Sequence, residues 1–129
     1  MPLVRIDVNK SASTELIQTV GEAVYSAMIE VASVPAHDRF QIVSRHEPDE
    51  IMFPTEGYLG ATYSKDLIVI HILWLGGRAV ETKAKFYGRV VDEIHEKQNV
   101  RKDDIIIVLS DNAREDWSFG GGVMQYAPK

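Results

Sequence analysis

Two hydrophobic periods take turns along this chain. Residues 3–8 alternate, with Val4, Ile6 and Val8 on one side and Leu3, Arg5 and Asp7 on the other, which is strand period. Residues 14–32 then carry Leu16, Val20, Ala23, Val24, Ala27, Met28 and Val31 on one stripe, which predicts an amphipathic helix. Ser11, Ser13 and Thr14 are candidate caps, Glu15 suits the positive helix start, and Val34-Pro35 ends the element. Residues 40–44 read as a second strand. The order then repeats. Residues 67–74 (LIVIHILW) are nearly all apolar, as in a central strand covered on both faces. Residues 79–98 hold Val80, Ala84, Tyr87, Val90, Val91 and Ile94 at helical spacing, with Glu81/Lys85 and Glu93/Lys97 as i,i+4 pairs on the wet side. Residues 105–109 form a fourth strand.

The chain therefore divides into two β-α-β units, 2–46 and 67–110, joined by a linker at 47–66 and followed by a tail at 111–129. The expected fold is α+β, a single domain over 1–129. Its four-stranded mixed sheet carries both helices on one face, and the strands are parallel within each unit. The linker is long for a bare loop, and Pro48, Pro54, Gly57 and Gly60 predict turns in it. In the tail, Gly120-Gly121-Gly122 after Trp117 and Phe119 predict a tight turn or short hairpin.

Suppose the units lie antiparallel, with the first and third strands adjacent at the centre. One edge of the sheet then collects the start of the first strand (Pro2), the start of the second (Asp38, Arg39) and the exit of the third (Gly76-Gly77-Arg78). The fourth strand ends there too, bringing Trp117 within range. Topology alone thus gathers a base, an acid and a cation.

Composition narrows the partners. Of 129 residues, 14 are basic and 19 acidic, a net charge of −5 that disfavours nucleic acid. The chain has no cysteine, which excludes thiol catalysis, disulfides and cysteine zinc sites. His37 and His46 sit in loops beside acids with no ligand spacing to join them, so neither a metal nor a cofactor is expected. His71 reads as a core histidine satisfied by hydrogen bonds. No leader pattern opens the chain and no apolar run approaches a membrane span, so a cytoplasmic protein without membrane contact is expected. The glycine run lacks the Lys-Ser/Thr of a phosphate loop, and no Gly-x-Ser-x-Gly elbow occurs.

Pro2 converts most directly into chemistry. With Met1 removed, its nitrogen becomes a secondary amine at the chain terminus. A general base must be neutral at its working pH. Burial and Arg78 push the pKa of such an amine down, and Asp38 pushes it up. Depressed, Pro2 takes a proton from a carbon beside a carbonyl and returns it elsewhere, which is keto–enol tautomerisation. Unshifted, it is a cation that donates, as decarboxylation or hydration uses. Both directions stay open at this level. Arg78 stands at a helix start, where a cation opposes the dipole, and this points to a ligand anion.

Several strings together resemble the tautomerase superfamily, and within it the malonate semialdehyde decarboxylase group. They are Met1-Pro2-Leu3, Val34-Pro35-Ala36-His37-Asp38-Arg39-Phe40-Gln41, Gly77-Arg78 and Asp116-Trp117-Ser118-Phe119-Gly120. The resemblance covers nearly the whole chain. It implies a homotrimer of β-α-β protomers with a short C-terminal hairpin. Pro2 becomes the proton-transferring amine, Arg78 the binder of a substrate carboxylate, and Asp38 the group that orients or activates water near Pro2. Trp117 and Phe119 shape the pocket wall, and Arg39 is the next candidate anion site. The substrate implied is a small oxo-carboxylate, either tautomerised or decarboxylated and hydrated as a three-carbon acid. A non-catalytic trimeric ligand-binding protein is the third reading. One departure stands out: the decarboxylase pattern has two arginines flanking a single residue, and the first of them falls on Gly76.

Overall fold

The structure, a computed structural model, describes residues 1–126. Its elements run β1 (Pro2–Asn9), α1 (Thr14–Glu30), β2 (Phe40–His46), β3 (Ile68–Leu75), α2 (Val80–Gln98), a 3₁₀ turn (Lys102–Asp104), β4 (Ile105–Asn112) and a second 3₁₀ turn (Arg114–Asp116). The sheet order is β2-β1-β3-β4. β1 and β2 are parallel, β3 and β4 are parallel, and β1 and β3 run antiparallel down the centre. This is the expected arrangement of two β-α-β units.

Local chemistry sets the helix ends. The Ser13 hydroxyl accepts the Leu16 N–H at 3.0 Å and so caps α1. α2 lacks a side-chain cap at its start but ends on Asn99 in the left-handed region, whose N–H donates to the His95 carbonyl at 2.9 Å. His95 and Lys97 lie in the last turn of α2, where the dipole favours cations. Glu93, expected on the wet side, is instead buried at 8% exposure. Arg89 donates to it at 2.6 Å and Lys97 lies 3.5 Å away, so the burial is charge-compensated.

Parity along the strands decides what meets the helices. Val4, Ile6 and Val8 of β1 and Ile70, Ile72 and Trp74 of β3 pack on α1 and α2, with Phe86, Val90 and Ile94 fully buried between. The opposite face carries Leu3, Arg5, Val69, His71 and Leu73, half-buried or exposed. At its margins Phe40, Ile42 and Val108 are 48%, 42% and 47% exposed. Among the described residues, helices cover the strand run on one face only. On the other face Val69, His71 and Leu73 stay half-buried, and no helix or strand of the described residues packs over them.

The linker forms turns and one isolated bridge, Tyr58–Ala61. It is tied to the second unit where the Ser64 N–H and hydroxyl donate to buried Asp104 at 2.7 and 2.6 Å. The expected C-terminal hairpin is replaced, among the described residues, by a turn without ladder pairing. The Phe119 N–H donates to Gln125 Oε1 at 2.9 Å, and Gln125 Nε2 donates back to the Gly120 carbonyl at 3.1 Å. A side-chain amide thus closes the turn in place of backbone pairing. Residues 127–129 of the expected tail lie outside the described residues. No helix among the described residues is long and apolar enough to cross a membrane.

Candidate active site

β1 begins where β2 begins and where β3 ends. Leu3 pairs with Phe40, and Pro2 pairs with Trp74. At this edge lies a cavity of about 270 Å³ lined by Met1, Ser33, Val34, Pro35, Asp38, Leu75, Arg78, Arg114 and Tyr126. Asp38 is its one carboxylate among the described residues, and Arg78 and Arg114 are its two guanidinium groups. The Met1 ammonium donates to Asp38 Oδ2. Pro2 is buried directly behind it. Met1 removal moves the free amine by one residue, onto the Pro2 ring nitrogen at the buried start of β1.

Arg78 is held more firmly than its position in the sequence indicates. Its Nε and Nη2 donate to the Ala32 carbonyl at 3.2 and 3.1 Å, and Nη1 donates to the Leu75 carbonyl at 2.6 Å. The guanidinium stacks on the Trp74 ring, 4.2 Å from its centroid. The charged head therefore sits beyond the carbonyl end of α1, not against the start of α2. The negative pole of α1 accounts for the cation, and the dipole argument for a ligand anion falls away. What remains is donor capacity: a guanidinium has five N–H groups and three are engaged, leaving about one free on each terminal nitrogen. Burial pushes the Arg78 pKa down from its ordinary value, while the charge of Asp111 pushes it up.

Asp111 is the link that sequence reasoning missed. It accepts from Lys83 Nζ at 3.0 Å and from Trp74 Nε1 at 2.7 Å. These two hydrogen bonds, Lys83 first, hold its carboxyl below the usual range, with the charges of Lys83 and Arg78 adding to them. Asp111 fixes Trp74, and Trp74 forms the floor under Arg78. A carboxylate with a depressed folded-state pKa stabilises the fold above its unfolded pKa and loses that contribution as pH falls through the folded value. Asp111→Asn should therefore lower the urea midpoint at neutral pH, with the gap to the parent closing below about pH 4. The effect is small, because the Asp111 side chain is 40% exposed. A gap independent of pH would assign the loss to packing instead.

Three other candidates stand elsewhere. Arg39 does not line the cavity. Its Nη1 donates to Glu22 at 2.8 Å, its Nε to Gln41 at 3.2 Å, and its guanidinium covers the Tyr25 ring at 4.7 Å. Trp117 and Phe119 stack on each other with centroids 5.2 Å apart, and Phe119 meets Phe40 and Tyr126, each at 5.6 Å. They back the cavity through Tyr126 and do not line it themselves. His71 reaches Ser110 Oγ at 2.9 Å, hydrogen-bonded as expected, but it stands half-buried on the face away from the helices and not in the core.

A larger cavity of about 350 Å³ lies at the opposite end of the sheet, lined by Asn9, Ser11, Ser13, Arg101 and Asp104 among others. Several of its polar groups are committed locally: Asn9 accepts from Ser11, Ser13 caps α1, and Arg101 pairs with Asp104. The smaller cavity keeps uncommitted donors, the remaining terminal N–H groups of Arg78.

A family model described as tautomerase enzyme matches residues 38–120. The chain belongs to the tautomerase family. The probable tautomerase YusQ of Bacillus subtilis (strain 168) is 34% identical over 125 residues, covering 97% of this chain and 98% of that protein. The crystal structure of FG41 malonate semialdehyde decarboxylase inhibited by 3-bromopropiolate superposes with a TM-score of 0.87 at 36% identity, covering 96% of this chain and 93% of that one. A second malonate semialdehyde decarboxylase, solved in wild-type, mutant and inactivated forms, gives 0.85 at 30% identity, covering 96% and 95%. Within the tautomerase family this chain thus falls with the malonate semialdehyde decarboxylase-like group.

Proposed function

We propose that this tautomerase-family chain, once Met1 is removed, uses the Pro2 amine to catalyse keto–enol tautomerisation of a small oxo-carboxylate. The observation that carries the reading is the cavity that joins the chain start to Asp38, Arg78 and Arg114. Neutral Pro2 removes a proton from the carbon beside the substrate carbonyl, and the electron pair moves into an enolate. The resulting prolinium returns the proton at the other end of the enolate. Two guanidinium groups oppose protonation of an amine beside them, and Asp38 favours it. Tautomerisation uses the neutral base. The free terminal N–H groups of Arg78 hold the substrate carboxylate by its two oxygens. A cavity of this size, at the low end of ligand pockets, suits a short acid.

A panel of small oxo acids and their esters, assayed on protein shown by mass to lack Met1, tests the reading. Acids should be turned over and esters poorly so. Turnover of neither would leave the ligand-binding alternative. The second reading is decarboxylation or hydration of a three-carbon acid such as malonate semialdehyde. It is favoured by the 36% identity to a decarboxylase and needs a protonated Pro2 with Asp38 activating water. Release of carbon dioxide from a 3-oxo acid faster than any tautomerisation would select it.

The same reading includes a homotrimer. The sheet face bearing Leu3, Val69, Leu73 and Ile42 has no helix over it among the described residues, and an apolar patch left open to solvent suits an interface. Sedimentation should give about three times the 14.5 kDa chain mass. A monomer at micromolar concentration contradicts this part of the reading.

A further inference from the structure

We infer that Arg114 is a second anion-binding group of the cavity, supplying from the end of β4 the cation that Gly76 does not supply from the end of β3. The substrate it selects then bears two anionic or oxyanion-forming functions: a carboxylate on Arg78 and a second oxygen centre on Arg114. The inference rests on reading this cavity as the site for a small oxo-carboxylate, and it adds the second charge to that substrate class.

Position carries the first part. Leu75 pairs with Asn112, and the Gly76 N–H donates to the Asn112 carbonyl at 2.9 Å. Residue 114 is thus two steps beyond the residue bonded to Gly76, in the 3₁₀ turn that follows the neighbouring strand at the same edge. Its side chain lines the cavity together with Arg78 and Asp38. Position 76 is itself tight for a side chain. A Cβ there would stand 3.2 Å from Asp111 Cβ and 3.5 Å from its Cγ and Oδ2. Asp111 cannot step aside freely, because Trp74 and Lys83 both donate to it. A glycine at 76 thus suits the packing around Asp111, while a cation reaches the same edge from the turn that follows β4.

Availability carries the second part. Among the described residues Arg114 makes no side-chain hydrogen bond and no ion pair, unlike Arg39, Arg78, Arg89 and Arg101. Its backbone is nonetheless fixed. Asp116 accepts the Ala113 N–H at 2.8 Å, and Trp117 Nε1 donates to Asn112 Oδ1 at 2.8 Å, bracing the 3₁₀ turn on both sides. A free guanidinium on a braced turn, lining a cavity whose other guanidinium retains only its terminal N–H groups, is arranged to receive a ligand oxygen.

Binding of two inert probes to Met1-free protein tests this without turnover. Calorimetry should show malonate, with two carboxylates, binding tighter than propionate, with one. Arg114→Gln should weaken malonate by about 10-fold, the low end for a charge-assisted contact because Arg114 is exposed. Propionate binding and the thermal midpoint should hold, and Arg114→Lys should recover part of the malonate loss. Equal malonate and propionate affinity in the parent, or an Arg114→Gln loss equal for both probes, would overturn the inference. Dianion preference without turnover of any oxo acid would sink the tautomerase reading alone. Turnover with the preference unchanged in Arg114→Gln would sink only the role of Arg114.

Discussion

Pro2→Ala, in protein free of Met1, should lower kcat/KM for an oxo-carboxylate by at least about 100-fold, the lower bound for loss of a positioned general base. Ala retains an α-amine, so the loss is not total. It comes from geometry and basicity: the proline ring fixes φ and holds its nitrogen at the mouth of β1, whereas a primary amine rotates and is more strongly solvated. The fold should not register the change, because Pro2 lies at the first position of a strand. Unchanged circular dichroism with lost turnover would locate the effect at the amine. A loss under about threefold, far below that general-base bound, would mean that another group does the proton transfer.

Arg78→Ala should be nearly as damaging to activity and more damaging to the protein. A charge-assisted carboxylate contact contributes about 1.5–3 kcal/mol, so kcat/KM should drop by about 10- to 200-fold for acids. Esters should react poorly with the parent and be nearly indifferent to the substitution. The same change leaves the carbonyls of Ala32 and Leu75 without their donor. Ala32 is 6% exposed, and an unsatisfied buried acceptor costs about 1–3 kcal/mol, so the thermal midpoint should fall as well. Arg78→Lys restores charge but neither the fork nor both backbone bonds. If acids and esters lose activity equally, Arg78 acts through structure or through the basicity of Pro2.

The architecture and half of the candidate site are legible in the sequence because both follow from strand parity and direction. A repeated strand-helix-strand order fixes parallel pairs, and antiparallel docking of the repeats brings Pro2, Asp38 and Arg78 to one edge. What escapes is whatever lies past the apolar run. Hydrophobicity ends at residue 109 and predicts the end of β4 there, but the strand continues to Asn112. Its ladder partner β3 continues, and Ser110, Asp111 and Asn112 find side-chain partners in His71, Trp74 and Trp117. Those three polar residues position Arg114, so no hydrophobic period could have revealed it. Arg39 illustrates the opposite limit. It shares strand parity with Gln41, which donates to the Gly21 carbonyl at 2.9 Å, so its side chain is directed to α1 even though its backbone lies at the site's edge. The apolar run of β3 does mark a central strand, but among the described residues only one of its faces is covered by helices.

The central claim is that the reacting group is the free amine of Pro2. Two preparations of the same chain decide it: one shown by intact mass to have lost Met1, and one shown to retain it. Turnover of an oxo-carboxylate per mole of protein should be confined to the first, because in the second the Pro2 nitrogen is an amide and the Met1 ammonium is paired with Asp38. Equal turnover in the two preparations would contradict the account.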